Sequence, residues 1–252
     1  MSEPAWPLPL WIAHRGAGKL APENTLAAFR LGASYGYRAF ECDVKLSADG
    51  VPFLLHDSTV ERTTDGQGSA GDKPWSELAL LDAGGWHSRG YAGVAPPSLA
   101  AIARYVQRNH FALNIEIKPT PGTEHATGVA VAQACQTLWP EGSAPVLLSS
   151  FQPQALQGAM QTAPDLQRAL LLDTLWDGWL KVAQALGCVA VVSNHQVMDA
   201  ALRQQLRSAD LRALCYTVNE TADVDRLLAL DIDAIITDRV DRYSPGSSRF
   251  FS

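Results

Sequence analysis

The chain is predicted to be an α/β protein, a TIM-type (β/α)8 barrel, and three observations predict it. Eight short apolar runs recur along the 252 residues, and most lack the alternating polar residue of a half-exposed strand, as expected of strands covered on both faces. Helical patterns separate most of these runs, which requires a parallel sheet. That many parallel strands favour closure over an open sheet, and the length suits one barrel domain covering residues 1–252.

In chain order, the first expected strand covers residues 10–13 and runs into His14-Arg15-Gly16. Pro22-Glu23-Asn24-Thr25 reads as the opening of a helix over 25–33. The second strand, 39–44, carries Glu41 and Asp43. Another strand-like run, 51–55, follows so soon that no crossover helix fits between them. The two runs are therefore expected to form an antiparallel hairpin that turns at Asp49-Gly50. Such a hairpin projects above the barrel mouth, and its return arm brings His56 back to face His14. Residues 57–97 are rich in Gly, Ser, Thr and Pro and too long for an ordinary connection, which marks a functional insertion or lid. Beyond it the alternation resumes, with strands at 112–118, 146–149, 169–172, 189–193, 214–218 and 234–237. Helices are expected at 99–108, 126–138, 153–160, 175–186, 200–208 and 222–230. The tail from Tyr243, with Phe250 and Phe251, is expected on the surface.

Composition excludes several classes. A formal net charge of -6 argues against a nucleic-acid partner, which favours a basic face, but leaves room for a small anion held by a local cluster of Arg and Lys. Cys42, Cys135, Cys188 and Cys215 show no metal-type spacing and are expected to be buried structural thiols. Residues 1–12 contain no basic residue and only a short apolar run, so neither a signal peptide nor a membrane span is expected. The expectation is a cytoplasmic protein without stable membrane association. Its oligomeric state is left open by the sequence.

The chemistry-bearing residues fall at strand ends. Side chains at i and i+2 of a strand share a face, so Glu41 and Asp43 point together into the mouth, as do Glu116 and Lys118. Three carboxylates without a neighbouring thiolate suit a hard, oxygen-seeking divalent cation, Mg²⁺ or Ca²⁺. Arg15 and Lys118 add positive charge for a phosphate. His14 and His56, delivered to one mouth beside these groups, read as a general base and a general acid. His195, directly after an expected strand, is a candidate for lining the mouth. The glycines of His14-Arg15-Gly16-Ala17-Gly18 are expected to allow a sharp turn and leave space near the phosphate. No Ser, Thr or Cys is placed as an obvious nucleophile.

Taken in order, His14-Arg15-Gly16, Pro22-Glu23-Asn24-Thr25, Glu41-Cys42-Asp43-Val44, Asp49-Gly50, His56-Asp57, Glu116-Ile117-Lys118, Thr217-Val218-Asn219 and Ile236-Thr237-Asp238 resemble the glycerophosphodiester phosphodiesterase family, in its compact cytosolic bacterial form. The resemblance implies a barrel with the family's insertion, metal ligands Glu41, Asp43 and Glu116, acid-base histidines His14 and His56, and phosphate contacts from Arg15 and Lys118. It also implies a small-molecule glycerophosphodiester as substrate, cleaved to glycerol 3-phosphate and an alcohol. Two departures, Tyr216 where many members have Trp and Trp86-His87 where many have Trp-Phe, fall in expected substrate walls and bear on headgroup preference. Alternatives are a lysophospholipase D-like enzyme, which needs an apolar groove, a non-catalytic barrel that only binds phosphodiesters, and a glycosidase, which needs neither the metal cluster nor the two cations.

Overall fold

A computed structural model describes residues 8–243 and 245, so Phe250 and Phe251 lie outside the described residues. The chain runs β1 (Trp11–Ala13), α1 (Leu26–Ser34), β2 (Ala39–Leu46), β3 (Pro52–Leu54), α2 (Trp75–Leu78), α3 (Leu99–Arg108), β4 (Ala112–Ile117), α4 (Glu124–Leu138), β5 (Val146–Ser150), α5 (Pro153–Thr162), β6 (Gln167–Leu172), α6 (Trp179–Ala185), β7 (Ala190–Asn194), α7 (Ala200–Ser208), β8 (Arg212–Tyr216), α8 (Thr221–Ala229) and β9 (Ala234–Thr237). Eight parallel strands follow one another in the order β1-β2-β4-β5-β6-β7-β8-β9, and β9 pairs back to β1 to close the barrel. The ninth, β3, is the expected return arm: it pairs antiparallel with the end of β2, Val44 opposite Leu54, after a turn in which Gly50 takes φ +79°.

Two apolar layers hold this arrangement. Inside the barrel, Ala39, Ala112, Ala169, Ala190 and Ala234 pack together with Ile12, Leu147 and Leu214, and Leu8 belongs to the same cluster. Small side chains next to large ones fill a narrow interior without voids. Outside, Phe40, Cys42, Val44, Ile115 and their counterparts on the other strands pack against the helices. All four cysteines are free and buried, Cys42 and Cys215 among this outer layer, and burial alone pushes the Cys135 thiol up to about 12. Side-chain oxygens of Thr25, Ser98 and Asp199 accept hydrogen bonds from the first turns of α1, α3 and α7, so three helices start where a capping residue stands.

One segment departs from the sequence-based expectation. The helix expected over 175–186 starts only at Trp179, because Gly178 takes φ +88°; residues before it stay as loop and leave Leu175 and Trp176 exposed at the mouth. The expected insertion after β3, by contrast, has a core of its own. Phe53, Leu55, Val60, Ala70 and Leu78 form a small separate core, and Thr59 bridges to Ser69.

Candidate active site

The barrel register brings the acidic residues together. Asp43 on β2 stands opposite Glu116 on β4, and Glu41 lies two residues below Asp43 on the same face. One oxygen from each of Glu41, Asp43 and Glu116 lies within 4.8 Å of the others, and all three side chains are buried. Burial and mutual repulsion push Glu41 well above the usual carboxylate range, and burial with the charge of Asp43 pushes Glu116 up to about 7. Asp43 goes the other way: burial would raise it, but Arg15, Lys118 and His56 together hold it below its ordinary value. Asn114 Oδ1 and Ser149 Oγ line the same cavity, buried and without a hydrogen-bond partner in the protein. A set of buried hard oxygens, repelling one another and partly unpartnered, fits a divalent cation and fits neither a thiolate-type nor a purely structural site.

Each carboxylate is held by something definite. Asn24 grips Asp43 twice, donating from Nδ2 to Oδ2 at 2.8 Å and accepting from the Asp43 amide at 3.1 Å. Asn24 takes φ +58°, a left-handed conformation that Asn tolerates better than most residues. The Arg15 amide donates to Glu41 at 3.1 Å. The Arg15 guanidinium contacts Asp43 at 3.2 Å and donates to Glu23 at 2.8 Å. Lys118 Nζ sits 3.0 Å from Glu116 and 3.3 Å from Asp43. Lys45, buried on the same face of β2, donates to the Lys118 carbonyl at 3.1 Å and is lowered to about 8 by burial and by Lys118.

Both strand-end histidines carry a carboxylate on Nδ1. His14 Nδ1 lies 2.6 Å from Asp238, directly after β9, and His14 Nε2 lies 3.8 Å from Glu41. Asn219 in turn donates to Asp238 at 3.0 Å; burial would raise this carboxyl, but the bonds from His14 and Asn219 bring it to about 2. His56 Nδ1 lies 2.6 Å from Asp57. Arg62 from the insertion clasps Asp57 and Glu23 together, which joins His56, the insertion and Arg15 in one charged chain. Burial lowers His56 below the ordinary histidine range.

His14, Arg15, Glu41, His56, Glu116 and Lys118 line one cavity of about 220 Å³, and Asp43 contacts two of them, Arg15 and Lys118. Tyr216 lines it as well, together with Phe151 and Asp173, two residues the sequence reading passed over although both directly follow a strand. His195 does not reach the cavity: its Nδ1 faces Asp223 at 3.3 Å, because the amide of His195 pairs with the Tyr216 carbonyl and turns the side chain outward towards α8. Trp86 and His87 are also elsewhere, His87 packing on Tyr91 and reaching the Lys19 carbonyl at 3.1 Å. The glycines of the first loop allow its sharp turn, with φ +98° at Gly16 and +56° at Gly18, and close packing also requires them. A Cβ on Gly16 would meet Ala28 and Phe29 of α1 at 2.8 Å, and one on Gly18 would lie 2.2 Å from the Asp238 carbonyl.

Comparison with known proteins identifies the family. The model of the glycerophosphoryl diester phosphodiesterase family matches residues 14–242. A glycerophosphodiester phosphodiesterase of Caldanaerobacter subterraneus subsp. tengcongensis is 31% identical over 234 residues, covering 91% of this chain and 93% of that protein. The solved structure of an Oleispira antarctica phosphodiesterase in complex with the product sn-glycerol-3-phosphate superimposes with a TM-score of 0.87 at 33% identity, over 92% of this chain and 93% of the other. A glycerophosphodiester phosphodiesterase from Agrobacterium tumefaciens gives a TM-score of 0.77 at 29% identity, over 93% and 98% of the two chains. By its sequence, its closed barrel and these relatives, the chain belongs to the glycerophosphoryl diester phosphodiesterase family.

Proposed function

We propose that this protein hydrolyses glycerophosphodiesters to glycerol 3-phosphate and an alcohol, acting as one phosphodiesterase domain with a divalent cation, Mg²⁺ or Ca²⁺. The observation that carries the reading is the placement of two carboxylate-backed imidazoles, His14 and His56, on one cavity with three clustered carboxylates and two cations. Glu41, Asp43 and Glu116 are the residues that would hold the ion, which when bound supplies positive charge to the phosphate oxygens. Arg15 and Lys118 bind and orient the phosphate from the side of the carboxylates. Asp238 and Asp57 hold the two rings with Nδ1 occupied, so Nε2 of each is the nitrogen left for substrate. One imidazole takes the proton of the attacking hydroxyl and the other protonates the departing alkoxide, a poor leaving group near neutral pH without that proton.

Among the described residues no Ser, Thr or Cys is hydrogen-bonded to either imidazole, which supports attack by the substrate's own neighbouring glycerol hydroxyl and a cyclic phosphate that water opens in a second step. No helix among the described residues is long and apolar enough to cross a membrane. The four free thiols support a cytoplasmic location. The direct test is release of glycerol 3-phosphate from glycerophosphocholine with and without chelator. Activity is expected, lost in EDTA and restored by Mg²⁺ or Ca²⁺; full activity after exhaustive chelation overturns the metal assignment, and no release under any condition overturns the reaction.

A further inference from the structure

The cavity has two unlike walls, and only one of them is used by the proposed chemistry. The ends of β1, β2, β3 and β4 carry the histidines, carboxylates and cations. Across the barrel, the ends of β5, β6 and β8 present Phe151, Asp173 and Tyr216. The rings of Phe151 and Tyr216 meet edge to face, 5.8 Å between centroids at 86°. Tyr216 is anchored by donating from its hydroxyl to the Leu172 carbonyl at 3.2 Å, so its ring is fixed in the wall.

Asp173 is the unusual member. This exposed side chain accepts from the neutral Asn194 amide at 3.0 Å through Oδ1 and has the neutral Tyr216 hydroxyl as a second hydrogen-bond neighbour, and among the described residues no Lys, Arg or His lies within ion-pair distance of it. Elsewhere around this mouth the acidic groups have basic neighbours: Asp43 and Glu116 have Lys118, Asp57 and Glu23 have Arg62, and Asp238 has the His14 imidazole. A carboxylate without a counter-charge, beside two fixed aromatic rings on a cavity wall, is the environment that recognises an organic cation. The carboxylate supplies Coulomb attraction, and the rings supply their negative faces.

This inference rests on the phosphodiesterase reading and deepens it. We propose that Asp173, Phe151 and Tyr216 form the subsite for the alcohol half of the substrate and select a cationic headgroup, a quaternary ammonium above all. The cavity then matches the charge pattern of its ligand. Arg15 and Lys118 face the phosphate, and Asp173 faces the ammonium. A neutral polyol headgroup can donate a hydrogen bond to Asp173 but gains no net Coulomb attraction from it and little from the rings. A quaternary ammonium needs no hydrogen-bond acceptor, so Asp173 can hold it by charge alone while keeping its bond from Asn194.

The test compares kcat/KM on glycerophosphocholine with kcat/KM on glycerophosphoglycerol, which differ in headgroup charge and share the reacting bonds. The wild-type protein is expected to favour the choline ester by about tenfold or more, and Asp173→Asn to lose about tenfold of that ratio, carried mainly by KM for the choline ester. Phe151→Leu, which keeps bulk and removes the ring, is expected to lower the same ratio by a few-fold. Free choline should inhibit the wild-type protein more strongly than glycerol does, and Asp173→Asn should remove the difference. Equal efficiency on both esters in the wild type, or an unchanged ratio in Asp173→Asn, overturns the subsite while the phosphodiesterase reading stands. Cleavage of neither ester overturns that reading and this inference with it. If Asp173→Asn does not fold, the wild-type ratio and the choline inhibition decide the matter alone.

Discussion

An imidazole whose Nδ1 faces a carboxylate at 2.6 Å has one nitrogen left to work with, and both histidines of this mouth are in that state. Replacing His14 or His56 with Ala is expected to lower kcat by at least about a hundredfold, the lower end for positioned acid-base groups, with the circular dichroism spectrum unchanged. Asp238→Asn removes a charge and keeps the size, so it should reduce kcat less than His14→Ala does and shift the pH-rate profile; an unaltered profile would show that Asp238 serves packing only. At the same scale, a glycerophosphocholine analogue lacking the hydroxyl next to the phosphate ester should bind and turn over poorly, whereas near-equal rates would mean that water attacks directly. The residues with chemistry at strand ends were legible in the sequence because an i, i+2 spacing fixes a shared face. Their partners were not. Asp238 meets His14 across 224 residues of chain, and Asn24 reaches Asp43 only because its backbone takes φ +58°.

Among the elements, the β2–β3 hairpin is the piece that makes one site of two strand ends. It was readable because the chain between Val44 and Val51 is too short for a crossover helix, which leaves only an antiparallel return. The late start of α6 was not readable, since a helical hydrophobic pattern continues through Gly178 while its φ of +88° breaks the helix. His195 misled for a related reason: its place after β7 was right for the mouth, but its pairing with Asp223 on α8 is a tertiary matter. The first loop offers a sharper test of element packing. A methyl group on Gly18 would lie 2.2 Å from the Asp238 carbonyl, at φ +56°. Gly18→Ala must therefore push the loop off the end of β9, and is expected to lower both the melting temperature and kcat together. Arg62→Ala, by contrast, cuts the link from the insertion to Asp57 and Glu23 at a half-exposed position. It should leave the melting temperature within a few degrees and reduce kcat several-fold; a large loss of stability with normal kcat would mean that the insertion is held for folding alone.

For the whole molecule, stability and metal binding are two sides of one charge balance, and their pH dependence should have opposite signs. Glu116 rises from 4.5 to about 7 in the folded protein, and Glu41 rises as well, from burial and repulsion by its neighbours. Between those two pH values the folded state binds more protons than the unfolded chain, so unfolding becomes easier as pH increases through that window. Asp57 and Asp238, both brought to about 2 from 3.8, act at lower pH: the stability they contribute is complete above about 4 and is lost only as pH falls towards 2. In the interval from about 4.5 to about 7 the two glutamates therefore outweigh His56, whose value, lowered from 6.5 by burial, works the other way at the upper end. In EDTA, the melting temperature is expected to fall as pH is raised across this interval. A divalent ion needs these carboxylates ionised, so its binding releases protons and tightens as pH rises. With excess Mg²⁺ or Ca²⁺ the melting temperature should hold or rise over the same interval, and the gap between the two curves should widen steadily towards pH 8. Glu116→Gln removes the group that titrates and weakens the cage at once, so it should flatten the EDTA curve and shrink the gap. Curves that superimpose with and without the ion would show that the three carboxylates do not act as a metal cage, whatever the enzyme's activity.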